Sequence, residues 1–110
     1  MAEKPRDYHS NLAQDLNLGG SLNTFNTVGV ASAQALRSRD NRRRVTFCND
    51  SAAVIYLAKG SPAVIGSGIR LNANGGSWIE EPDALGYFWR GEFNAIATGA
   101  GSNMTILEEF

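Results

Sequence analysis

After residue 28 the chain carries its apolar residues in short runs broken by glycine, proline, asparagine and serine, and no run keeps a helical spacing. "RRVTFCN" alternates cleanly, setting Val45, Phe47 and Asn49 on one face and Arg44, Thr46 and Cys48 on the other. "AAVIYLAK" is almost continuously apolar, as a strand covered on both faces would be. Asp50 and Ser51 between these two runs suit a tight hairpin. Further on, Ile69 to Leu71, "SWIEE", "YFWRG", "EFNAIAT" and "NMTILEEF" read as strands, with "GAGS" as a hairpin loop between the last two. Such a series, interrupted at regular intervals by turn residues, predicts an all-β fold. The expected form is a small antiparallel β-sandwich, jelly-roll or Ig-like, over residues 28–110. The twelve glycines fall mainly where the reversals would be.

Residues 1–27 read differently. "MAEKPRDYHSNLAQDLNLGGSLNTFNT" is rich in asparagine, aspartate and serine, with scattered apolar positions. Ser10 could cap one or two helical turns ended by Gly19 and Gly20, and so short a helix needs a surface to pack on. We therefore expect an extended or partly helical N-terminal arm that lays Leu12, Leu16 and Phe25 against a neighbouring subunit. With 110 residues there is room for one modest core, and the lone Cys48 allows no disulfide within the chain. The first residues lack the apolar core of a signal peptide, and no run approaches the length of a membrane span, so a protein made in the cytoplasm with no membrane partner is expected.

Candidate chemistry is sparse. His9 is the sole histidine, and it lies in the polar arm, which argues against a histidine base or a zinc site. Cys48 has no histidine near it in sequence and reads as a small, partly buried hydrophobe. Glu80–Glu81 and Glu108–Glu109 are adjacent pairs. Neighbouring strand residues point to opposite faces, so neither pair can act as two convergent carboxylates, and solvated strand ends are expected. No Gly-Lys-Ser/Thr opens a helix, so the glycines do not form a phosphate loop. No catalytic residue, cofactor or metal is assigned. Trp78 and Phe88 are expected to fill the core, with subunit contact the other use for the aromatics; alternatively Trp78 and Trp89 form a platform for sugar rings.

Charge is distributed unevenly. Arg37, Arg39, Arg42, Arg43 and Arg44 stand against one aspartate, whereas from Glu80 to the end five glutamates and Asp83 stand against Arg90. The arginine turn has no wider basic face with interleaved aromatics, and the net charge is −1, which argues against nucleic acid. It is expected to meet an acidic surface on another protein or another copy.

Across these stretches the chain resembles a known group. "NRRRVTFCNDSAAVIYLAKGSPAVIGSGIRLNANGGSWIEE" followed by "FNAIATGAGSNMTILEE", spanning Asn41 to Glu109, is similar to small virion proteins of tailed bacteriophages. The similarity lies in a basic lead-in to a strand ending in "NDS", the "IYL…GSPA" strand and loop, then "GIRL", "GGSW" and a closing "AI…GAGS…TILE" segment. The resemblance implies a non-enzymatic structural component, such as a head-decoration (cement) protein, a head-fibre base or a tail accessory domain. It also implies a homo-oligomer located in the virion and bound to neighbours such as the major capsid protein. The alternative function is a tail- or surface-associated module that binds carbohydrate or host.

Overall fold

The computed structural model describes residues 20–110. Eight strands follow in order: β1 (Ser21–Val28), β2 (Ala33–Leu36), β3 (Arg44–Asn49), β4 (Ile55–Lys59), β5 (Ile69–Leu71), β6 (Ser77–Glu80), β7 (Phe93–Ala97) and β8 (Ser102–Glu109). They form two four-stranded sheets, β1-β8-β3-β6 and β2-β7-β4-β5, and every pairing is antiparallel. The first strand pairs with the eighth, the second with the seventh, the third with the sixth and the fourth with the fifth. That is a long hairpin rolled up on itself, the jelly-roll form of the expected sandwich.

This wrapping explains why two expected hairpins are crossovers. β3 is flanked on both sides, by β8 and β6, so β4 has no free edge to pair with and passes into the other sheet. The chain between them is held by Asn49, whose buried amide donates to the carbonyls of Ala53 (2.7 Å) and Leu71 (3.0 Å) and accepts from the Ser51 hydroxyl. "GAGS" likewise carries the chain from β7 in one sheet to β8 in the other.

The core lies between the sheets. Val45 and Phe47 of β3 and Met104 and Ile106 of β8 face Ile55, Leu57, Phe93 and Ala95 of the second sheet. Phe47 and Phe93 meet at 4.8 Å between ring centroids, tilted by 58°, a favourable aromatic geometry. Both faces of β4 are covered as expected: Ile55 and Leu57 point inward, while Tyr56 lies under Arg70, which donates to its hydroxyl at 3.1 Å. At Gly68, φ is +81° and an added Cβ would lie 2.4 Å from the Leu57 carbonyl oxygen, so only glycine lets the long connection press onto β4.

Three expectations need correction. The sheet begins at Ser21, so β1 takes up the last part of the segment assigned to the arm. The strand was masked by its own composition: of its inward positions Leu22, Thr24, Asn26 and Val28, only Val28 is buried. "YFWRG" is irregular, because the Asp83 carboxylate accepts from the Leu85 and Tyr87 amides and folds the chain into a turn. Trp78 is 38% exposed and Phe88 only half-buried, the core aromatics being Phe47 and Phe93.

Candidate interaction surface

The basic turn and the acidic carboxyl-terminal strand satisfy one another within the chain. Arg42 is fully buried, and its Nε donates to Glu108 Oε2 at 2.9 Å. Its other nitrogens donate to the carbonyls of Gly91 and Arg37. Arg39 reaches the same carboxylate at 3.1 Å, with its guanidinium above the Phe110 ring. At the surface Arg44 bridges Glu109 (2.7 Å) and Glu81 (3.2 Å). The Glu109 hydrogen bond, then that of Glu81, raises the Arg44 pKa further in a group that is already a permanent cation.

Arg42 was expected to contact a partner and cannot, because no part of its side chain reaches solvent. Arg39 and Arg44 are likewise engaged internally. Arg37 and Arg43 are exposed, and Arg43 lines a cavity of about 610 Å³ with Arg44, Arg90, Glu81, Glu109 and Phe110. Glu108 was expected in solvent and is buried. Its place on the inward side of β8, in step with Met104 and Ile106, was the available signal.

Leu12, Leu16 and His9 lie outside the described residues. Phe25 is 69% exposed on β1, at the rim of what becomes the main surface feature. The outward side of the β1-β8-β3-β6 sheet carries two rows that run across all four strands. One is Phe25–Thr105–Cys48–Ser77, the other Asn23–Leu107–Thr46–Ile79. Neither row holds a charge. The next row, Ser21–Glu109–Arg44, continues through the ion pair to Glu81 and bounds the uncharged area with paired charges. Ile79 is 49% exposed here, and Cys48 is half-buried as expected for a small hydrophobe.

A second feature lies beyond β6. Trp78 stands between a groove shared with Leu57, Pro62, Val64 and Ile69, about 420 Å³, and another shared with Ile79, Tyr87, Phe88 and Trp89, about 510 Å³. Glu80 organises this corner. Partial burial pushes its carboxyl up, but hydrogen bonds from Lys59 (2.8 Å) and the Trp78 indole (3.1 Å), the lysine charge and the Trp89 amide together hold it below the usual carboxylate value.

Trp89 is not an open platform. Its indole donates to the Glu92 carbonyl, and its ring lies against Gly60 and Gly91, where an added Cβ at Gly91 would come within 2.4 Å of it. The two tryptophans thus differ, Trp78 presenting ring surface and Trp89 filling a slot. Among the described residues, no three His, Cys, Asp or Glu side chains gather as metal ligands would.

No protein-family model, curated protein or solved structure gives a significant match to this chain.

Proposed function

We propose that the chain is a non-enzymatic structural component of a tailed-phage virion, a capsid-decoration (cement) or head-fibre-base protein that self-associates and binds neighbouring virion proteins. The likeness of residues 41–109 to small phage virion proteins supports the setting. The rolled eight-strand sandwich is compatible with it, since that architecture is used in capsids and also in lectins, but a fold does not choose between functions. The observation that carries the reading is the uncharged outward side of the β1-β8-β3-β6 sheet, with Phe25, Leu107 and Ile79 on it and ion pairs at its border. An uncharged sheet face with apolar side chains is suited to docking a partner over a broad surface.

Retention on particles tests it. The wild-type chain stays on salt-washed particles, and Ile79→Lys, which puts a charge on the docking face at its β6 edge, is washed off. Absence of the wild-type chain from washed particles overturns the proposal.

The alternative, a glycan-binding module, is favoured by Trp78 alone. Its N–H is held by Glu80, which fixes the ring while leaving part of it exposed between two grooves. Loss of glycan retention in Trp78→Ala with Trp89 intact supports that reading, and undiminished retention removes it.

A further inference from the structure

The four sheet edges are unequal. β2 is four residues long and broken by a bulge between Gln34 and Leu36, β5 has three residues and β6 has four. Short and bulged strands are how sandwiches blunt their edges against unwanted pairing. β1 is the exception. It runs for eight residues, SLNTFNTV, in unbroken register with β8, and contains no charge, proline or glycine.

The Gly20 carbonyl accepts from the Phe110 amide, which sets the phase of the ladder. Backbone groups alternate sides along a strand, so those of Ser21, Asn23, Phe25 and Thr27 point away from β8, toward the free edge. No described residue pairs with that edge.

We infer that β1 pairs antiparallel with β1 of a second copy across a twofold axis, joining the two β1-β8-β3-β6 sheets into one eight-stranded sheet. A twofold normal to the sheet keeps outward side chains outward, so residues of like parity must face each other. Two registers place the axis near the strand centre.

With Phe25 opposite Phe25 of the second copy, Asn23 meets Thr27, Thr24 meets Asn26 and Leu22 meets Val28, so apolar pairs with apolar and polar with polar. Shifting the axis to Thr24 sets Phe25 against Asn23 and Leu22 against Asn26, which mismatches both. The first register is therefore selected. It covers Phe25 (69% exposed) and Leu22 (38% exposed) in the same step. A charge at the middle of β1 would be brought close to its own copy by the symmetry, and the strand has none.

The seam spans seven residues, about 24 Å, and is small for a protein interface, so the dimer is one that dissociates on dilution. The inference deepens the self-association in the proposed function. Because it is measured on the isolated chain, its failure is separable from a failure to bind particles.

Sedimentation of the full 110-residue chain over a concentration series tests it. The wild type shows a monomer–dimer equilibrium, and Phe25→Lys, which sets two like charges face to face, weakens it by at least about tenfold while leaving the far-ultraviolet spectrum unchanged. Register is read by cysteine pairing in a Cys48→Ser background. Phe25→Cys forms a disulfide-linked dimer on mild oxidation. Asn23→Cys does not, because its two copies lie roughly 13 Å apart along the seam, beyond disulfide reach. A full chain that stays monomeric at its highest soluble concentration, as it would if residues 1–19 folded back over β1, overturns the inference. So does a dimer indifferent to Phe25→Lys, or one crosslinked through Asn23→Cys and not Phe25→Cys.

Discussion

Replacing Arg42 by methionine tests whether the buried ion pair holds the roll closed. The Arg42 and Glu108 side chains are 0% and 1% exposed, so the variant leaves a carboxylate with almost no access to water. Removing one partner of a buried pair typically costs about 3–5 kcal/mol. Two features fix where in that range the cost falls. Arg39 lies 3.1 Å from the same carboxylate and is 24% exposed, so Glu108 keeps one cation and the electrostatic loss is softened. Against this, the Gly91 and Arg37 carbonyls lose their donor. We expect about 3 kcal/mol, out of a total near 5–15 kcal/mol for a domain of this size. At about 4–5 °C per kcal/mol the melting temperature falls by roughly 12–15 °C. Arg42→Lys falls between, because an ammonium cannot fork to three acceptors. Urea unfolding of the single variants and of Arg42→Met/Glu108→Leu completes the cycle. The double variant should recover most of the loss, since both charges leave together. A cost below about 1 kcal/mol for Arg42→Met, or a double variant as damaged as the sum of the singles, refutes the reasoning.

Three shorter expectations concern the corner beyond β6. Because the folded Glu80 pKa is depressed, its contribution to stability is complete above the ordinary value of 4.5 and is lost as pH falls through the lower folded value. Acid titration of the melting temperature should therefore be flatter in Glu80→Gln than in wild type, and equal slopes would exclude the role. Gly91→Ala forces the Trp89 ring out of its slot, and a cost of about 1–3 kcal/mol with altered tryptophan fluorescence is expected; an unchanged melt would show that the ring has room to move. Trp78→Ala removes a partly exposed ring and should cost less than Phe47→Ala, which empties a fully buried position at about 3–5 kcal/mol. A thermal melt ranking the two in reverse would contradict the placement of the core.

What could be read from the sequence follows the physics of each segment. β3 and β4 were legible because one is covered on one face and the other on both, and Val45/Phe47 alternation and the "VIYL" run record those environments directly. β1 was not legible, because an edge strand whose inward positions are largely uncovered has no reason to alternate apolar with polar. Strand pairing was misjudged at Asp50–Ser51 and at "GAGS", since short connections look alike whether they join neighbours or switch sheets. The two charge clusters were visible, but not that they face each other. Arg42 and Glu108 are 66 residues apart, and only the long-range pairing of β3 with β8 brings them together. The uncharged outward sheet face was equally hidden, because its two rows take one residue from each of four strands.

The same long-range pairing links the lock to the proposed seam. β8 is the inner neighbour of β1 and the outer neighbour of β3, and its last residues work on both sides of the sheet: Glu108 inward on Arg42 and Arg39, Glu109 outward on Arg44. The Glu109 carbonyl also accepts from the Arg43 amide, and the Phe110 amide donates to Gly20 where β1 begins. A strand edge can template pairing only if it is held straight from behind, and β1 has little core of its own, with Val28 its single buried side chain. Its order at the Ser21 end must therefore be borrowed from β8. On this view the arginine turn has a part in self-association without touching the partner: it fixes the end of β8, β8 aligns β1, and β1 presents its backbone to the second copy.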